Sequence, residues 1–204
     1  MRIVSLLLFA FFLLSTAQAE DSQVCDLDAI TASIQNQDPL HSFEQEKHIA
    51  VLSKPLPSSG YLLLTEQGFV VWQTTKPIKS TTVIGNDSFQ QFNKNDQPVS
   101  LPGNAKNQTS ELISSTFLAI LSGNLEALHH HFNVQSHCQE QGWALTLTPS
   151  NSEIERLLKQ IYLSGEQRIN ELHFTEANDD KTVLHFSSLQ DSSLEQQLGQ
   201  YLVD

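Results

Sequence analysis

The sequence predicts an α+β fold in which amphipathic helices cover the concave face of one curved antiparallel sheet. Three observations point there. About nine short segments read as strands, most of them bounded by Gly, Asn, Asp or Pro turn signals. The two or three helical segments do not alternate with the strands, as a parallel βαβ sheet would require. The helices also carry apolar stripes that must be buried, and the concave side of a curved sheet is the economical place.

The chain of 204 residues opens with Met1-Arg2, an apolar stretch Ile3–Leu14 broken only by Ser5, and then Ala17-Gln18-Ala19 before Glu20. A charged start, a short apolar region and an Ala-x-Ala site read as a secretory signal over residues 1–19, cleaved after Ala19. The apolar stretch falls short of the roughly 20 residues a membrane span needs. No cysteine stands at the cleavage point and no small-residue lipobox precedes Cys25, so a lipid anchor is not expected. Residues 20–204 are of a length that suits one domain. In an exported protein two cysteines more often pair than stay free, so Cys25 and Cys138 are expected to form a disulfide; two unrelated thiols are the alternative. Closing so long a loop is worth about 4–5 kcal/mol in the chain-entropy treatment.

In chain order, Asp26–Gln37 reads as a short helix capped by Asp26 or Asp28, with Leu27, Ile30 and Ile34 on one face and Asp38-Pro39 as its stop. Ser42–Leu52 reads as a long strand, followed by a Pro/Ser/Gly turn over Pro55–Gly60. A hairpin then joins strands Gly60–Glu66 and Phe69–Thr75 through Gln67-Gly68. Tyr61-Leu62-Leu63-Leu64 and Phe69-Val70-Val71-Trp72 are apolar at nearly every position, where a half-solvated strand would alternate. Both faces of this hairpin are therefore covered, or one lines an apolar cavity. Ser80–Ile84 and Phe89–Asn93 are further strands about a Gly85-Asn86-Asp87 turn, and Asn93–Gln108 is a loop. Ser110–Leu121 is a capped helix with a wide apolar stripe that Gly123 ends; Asn124–His130 adds one or two turns. Phe132–Cys138 and Gly142–Thr148 are strands, the second alternating Trp143, Leu145 and Leu147 with Ala144, Thr146 and Thr148. Ser152–Lys159 reads as a helix capped by Ser152, Ile161–Leu163, Ile169–Glu176 and Thr182–Leu189 as strands, and Asp191–Leu202 as a closing helix.

Eleven Lys and Arg against 23 Asp and Glu give a net charge of −12, which disfavours nucleic acid and anionic lipid surfaces at long range. His129-His130-His131 is poor metal geometry, because consecutive helical residues do not share a face. No Gly-x-Ser-x-Gly is present; Ser58-Ser59-Gly60 is turn chemistry, and Glu44/Glu46 and Asp179/Asp180 are surface and turn carboxylates. No enzyme, cofactor or metal site is expected.

Several spaced signatures coincide: Phe43-x-Gln45; Pro55-Leu56 with Ser59-Gly60; Gly68-Phe69-Val70-Val71-Trp72 with Pro77; Trp143-x-Leu145-x-Leu147-Thr148-Pro149; Ile161-Tyr162-Leu163-x-Gly165; and Ile169–Phe174. Together, over about Cys25 to Leu189, they resemble the LolA-like outer-membrane lipoprotein carrier family, in its divergent periplasmic branch. The resemblance implies an open half-barrel closed over by helices, with an apolar cavity for acyl chains. It implies a monomeric periplasmic carrier of a lipoprotein or lipid, moving from an inner-membrane donor to an outer-membrane acceptor without covalent chemistry. Carried over by position, Phe43, Leu62, Leu64, Val70 and Trp72 line the cavity, and Ile113, Phe117 and Ile120 belong to the lid helix. Where the carriers place an arginine near the end of the first hairpin strand, this chain has Glu66, which cannot donate a hydrogen bond when ionised. Cargo or gating is therefore expected to differ. The alternative function is a non-transporting periplasmic module of the same shape that senses lipid or binds a partner. An interior filled by the protein's own side chains would count against transport.

Overall fold

The computed structural model describes residues 25–85, 88–99 and 108–202, with side chains in the 108–121 helix described from 115 onward. The elements run α1 (Leu27–Gln35), β1 (Leu40–His48), β2 (Leu56–Leu64), β3 (Val70–Lys76), β4 (Ser80–Ile84), β5 (Phe89–Phe92), α2 (Gln108–Leu121), α3 (Leu125–Leu128), β6 (Phe132–Gln139), β7 (Gly142–Pro149), α4 (Ser152–Glu155), β8 (Leu158–Gly165), β9 (Ile169–Glu176), β10 (Lys181–Ser188) and α5 (Ser192–Gly199). A 3-10 turn at Gln200–Leu202 follows. All ten strands join one sheet in the order β5-β4-β3-β2-β1-β10-β9-β8-β7-β6. Every pairing is antiparallel. Among the described residues β5 and β6 pair with no further strand beyond them, β5 meeting only an isolated bridge from Phe92 to Pro98, so the sheet is an open half-barrel. Among the described residues no helix is long and apolar enough to cross a membrane.

Strand periodicity sorts the side chains into two cores. Phe43, Leu62, Val70, Leu145, Leu147, Leu163, Leu172 and Leu184 point to the concave face, where α1 (Ile30, Ile34), α2 (Leu118, Ile120, Leu121), α3 and α4 cover them. On the outer face, Leu40, Leu63, Val71 and Val83 form a second core under Leu194 and Leu198 of α5. Both faces of the β2–β3 hairpin are therefore covered by helices, and α5 is the cover that its unbroken apolar run requires. Strand β7 has no such second layer, and its outward Thr146 and Thr148 are only half-buried.

Several boundaries differ from the sequence expectation. β1 ends at His48, and Pro57-Ser58-Ser59-Gly60 is strand, pairing with Glu46 back to Phe43. The turn lies earlier, over 49–55. Pro57 is tolerated because β3 ends at Lys76, opposite Ser59, leaving β2 an edge at that point. The β2–β3 register shifts between Ser59 and Gly60, and a Cβ on Gly60 would stand 1.9 Å from the Gln73 carbonyl oxygen, so only glycine fits this bulge. Gly68, at φ +81°, makes the hairpin turn. Asp26 caps α1 through the Asp28 amide, as expected. Asn151, not Ser152, caps α4, which ends at Glu155 because the chain joins the sheet again at Leu158. Asn86, Asp87 and residues 100–107 of the expected turn and loop lie outside the described residues.

Cys25 and Cys138 are disulfide-bonded across a sequence separation of 113. The bond ties the start of α1 to edge strand β6, and the Ser136 hydroxyl donates to the Cys25 carbonyl at 2.7 Å beside it.

Candidate functional site

The strongest concentration of apolar surface lies between the concave face and α2. Its centre is aromatic. Trp72 packs on Phe43 with ring centroids 4.3 Å apart, meets Phe117 of α2 edge-on at 5.5 Å, and Phe186 at 6.3 Å. Phe117 in turn contacts Phe174 at 6.3 Å. These offset and edge-to-face arrangements are the ones the ring quadrupoles favour. β1, β3, β9 and β10 each supply one inward ring and α2 supplies the fifth, so the cluster is the seam between sheet and helix. Trp72, Phe117, Phe174 and Leu64 remain only partly buried there.

Of the residues expected to line a cavity, Phe43, Leu62, Val70 and Ile120 are fully buried in this core. Leu64, Trp72 and Phe117 pack against it, while the Ile113 side chain lies outside the described residues. Phe43, Trp72 and Phe117 are in ring contact, and Leu62, Leu64, Val70 and Ile120 share their core. A crevice lined by Gln37, His41, Leu62, Leu64, Leu121, Ile169 and Phe186 is too narrow to hold a water molecule. Phe117 projects from α2 onto Trp72 of the sheet, ring centroids 5.5 Å apart.

Glu66 is exposed in the hairpin turn and makes no hydrogen bond or ion pair with another described residue. The inward position at that end of β2 is Leu64. The contact holding the end of α2 comes from elsewhere: Gln37 Nε2 donates to the Leu121 carbonyl at 2.9 Å. Beside it His41 is 2% exposed. Its Nε2 lies 2.7 Å from the Asp38 carbonyl, which can only accept, so the proton sits on Nε2 and Nδ1 is left without a hydrogen-bond partner. Burial pushes this imidazole below its ordinary pKa, and the nearby Arg168 charge acts the same way against the Asp38 carbonyl and carboxylate.

Sequence reasoning missed Phe174, Phe186, Gln37 and His41. The two phenylalanines share inward parity with Leu172 and Leu184, and His41 with Phe43, so strand alternation could have found them. Gln37 carries no sequence signal. The His129–His131 run sits at the end of α3, with His129 and His130 exposed. Among the described residues no group of three or more His, Cys, Asp or Glu is placed to hold a metal.

A ten-stranded open half-barrel, apolar on its concave side and capped there by helices, defines the class: a helix-covered half-barrel of lipoprotein-carrier type. The sequence profile described as "Outer membrane lipoprotein carrier protein LolA" matches residues 40–200, and the chain belongs to that family. A search of the curated proteins gives no match. Among solved structures the chain is similar to a LolA superfamily protein from Nitrosomonas europaea, at 12% identity over 80% of this chain and 92% of that one, TM-score 0.42. It is also similar to a putative outer membrane lipoprotein-sorting protein domain from Vibrio parahaemolyticus, at 10% identity over 86% and 96%, TM-score 0.44. At these scores the alignments add nothing to the family match.

Proposed function

We propose that the chain is a periplasmic carrier that takes acyl chains of a lipoprotein or lipid between the concave face and α2, and ferries them towards the outer membrane. Residues 1–19 serve as its cleaved export signal, and 20–204 as a single carrier domain. Family membership supports the class of cargo. The observation that carries the reading is the seam: an apolar sheet face whose helical cover meets it through ring edges and, at its end, a Gln37–Leu121 hydrogen bond, with four apolar side chains still partly exposed along it. An acyl chain enters by replacing Phe117 and its neighbours against Trp72. Each buried methylene contributes about 0.8 kcal/mol, so a long chain outweighs the contacts it displaces. Release needs an acceptor with a better site, an outer-membrane partner, as loading needs an inner-membrane donor; the reading assigns no covalent step and no cofactor. In this reading Gln37, which bonds the end of α2, takes the latch role.

One observation favours a second reading, a lipid-sensing or partner-binding module that does not transport: Phe43, Trp72 and Phe117 pack directly on one another. Mass spectrometry of gently purified protein, with titration of a fluorescent fatty-acyl probe, separates the two. Co-purified lipid and saturable probe uptake, both lost in Val70→Arg, are expected for the carrier. A folded protein with neither would end the proposal.

A further inference from the structure

The lysines of this acidic protein are not spread over it. The strand registers place the β1–β2 loop, the β3–β4 turn, the β9–β10 turn, the end of β5 and the start of β8 at one end of the sheet. Lys47, Lys54, Lys76, Lys79 and Lys181 sit on the first three of these; Lys94 follows β5, and Arg156 and Lys159 flank the start of β8. That is eight of the nine cations among the described residues. The ninth, Arg168, lies at the other end beside Glu166, where Asp38, Glu66 and Glu140 also gather.

At the basic end Lys47, Lys79 and Lys159 are paired, with Glu176, Asp96 and Asp179. Asp180 is buried, accepting from the Ala50 amide at 2.9 Å, which fixes the β1–β2 loop to the β9–β10 turn. Lys54, Lys76, Lys94, Arg156 and Lys181 form no ion pair among the described residues, against Glu46, Glu153 and Glu155 as the remaining carboxylates there. Among these lysines stand apolar side chains that the fold leaves in water: Val51 at 89% exposure, Ile78 at 68%, Leu56 at 49% and Leu52 at 48%.

From this we infer that the basic end docks on the surface of an anionic lipid bilayer, with Val51, Leu52, Leu56 and Ile78 entering the headgroup region and Lys54, Lys76 and Lys181 meeting lipid phosphates. Apolar tips ringed by lysine are the pattern of interfacial anchoring. Tips on separate loops do not make the continuous, closely packed patch of about 800 Å² per partner that a stable protein interface needs. The net charge of −12 is no obstacle. Strands of nine residues hold the acidic end roughly 30 Å from the basic one. Charge repulsion is screened over about 8–10 Å at ordinary salt.

The test needs no acyl ligand, so it stands or falls separately from the carrier reading. Co-sedimentation of the full chain with vesicles of equal parts phosphatidylglycerol and phosphatidylcholine is compared with phosphatidylcholine alone. Binding to the anionic vesicles, falling with added salt, is expected, with partition weakened about fivefold for each of Lys54→Gln and Lys76→Gln and about tenfold by Val51→Ser with Ile78→Ser. Tryptophan emission from Val51→Trp is expected to shift to the blue on these vesicles, and that from Gln67→Trp at the opposite end to stay put. No anionic-lipid binding at low salt, binding indifferent to the lysine variants and to the Val51/Ile78 double variant, or a blue shift at position 67 alone would overturn the inference. So would a concentration-dependent dimer dissolved by the Val51/Ile78 change, which would give the surface to a second copy.

Discussion

Phe117→Ala separates a plug from an ordinary core residue, because the two differ in the sign of their effect on binding. Phe117 makes edge contacts with Trp72 at 5.5 Å and Phe174 at 6.3 Å. Each such pair is worth about 0.5–1.5 kcal/mol beyond area, so the guest displaces roughly 1–3 kcal/mol when it lifts the ring. Deleting the ring removes that cost in advance. Acyl-probe affinity should rise about 5- to 150-fold, while urea-derived stability falls by about 1–3 kcal/mol, less than for a fully buried phenylalanine because the ring is partly exposed. Leu145→Ala is the control: Leu145 is 0% exposed in the same core but outside the ring cluster. It should lose about 2–5 kcal/mol of stability and gain no affinity. The assays are a fluorescence titration and a urea melt on each variant. Probe binding that is unchanged or weaker in Phe117→Ala would show that the ring is plain packing and that the guest does not enter at this seam.

Replacing both Cys25 and Cys138 by Ser opens a loop of sequence separation 113 and should lower stability by about 5 kcal/mol in urea; a loss under about 1 kcal/mol would mean the unfolded chain is not what the bond constrains. His41 binds fewer protons folded than unfolded, since burial depresses its pKa. Its contribution is therefore intact above about 6.5 and is lost as pH falls through the folded value. Melting temperatures of the parent should drop over that range more than those of His41→Gln, and parallel curves would refute the assignment. Gly60→Ala should cost several kcal/mol, on the order of the largest single-site effects, since the added Cβ meets backbone and no flexible side chain; a melt within about 0.5 kcal/mol of the parent would show that the bulge relaxes. Leu198→Ala, fully buried under the outer face, should destabilise by about 2–5 kcal/mol and leave acyl-probe affinity unchanged.

The strand segments along the chain were legible because period-2 patterning and turn residues mark them locally, and the disulfide because export context favours pairing of two cysteines. The Pro55–Gly60 stretch was read as a turn because Pro, Ser and Gly favour turns; the register with β1 outweighs that preference, and the Gly60 bulge is its trace. The unbroken apolar hairpin was legible as two-sided, but not which cover stands behind it: α5 is about 120 residues away in sequence, and only tertiary packing brings it to β2 and β3. The contact of Phe117 with Trp72 was beyond reach for a related reason. Periodicity says which side chains face inward, and the volume they fill depends on where α2 docks. Glu66 was read as the last residue of the strand; the strand stops at Leu64, and Glu66 falls in the exposed turn. The polarity of charge could not be read from a total of −12, because sheet topology, and no run in the sequence, gathers the lysines.

The helix on the outer face has a mechanical consequence. β1 to β4 are clamped between two layers, whereas β6 to β8 have helices on one side and a covalent staple at their rim. If a guest lifts α2 as proposed, the clamped half keeps a dry backing of Leu194 and Leu198 and is expected not to melt with it. One wall of the vessel can thus stay rigid while its door stands ajar.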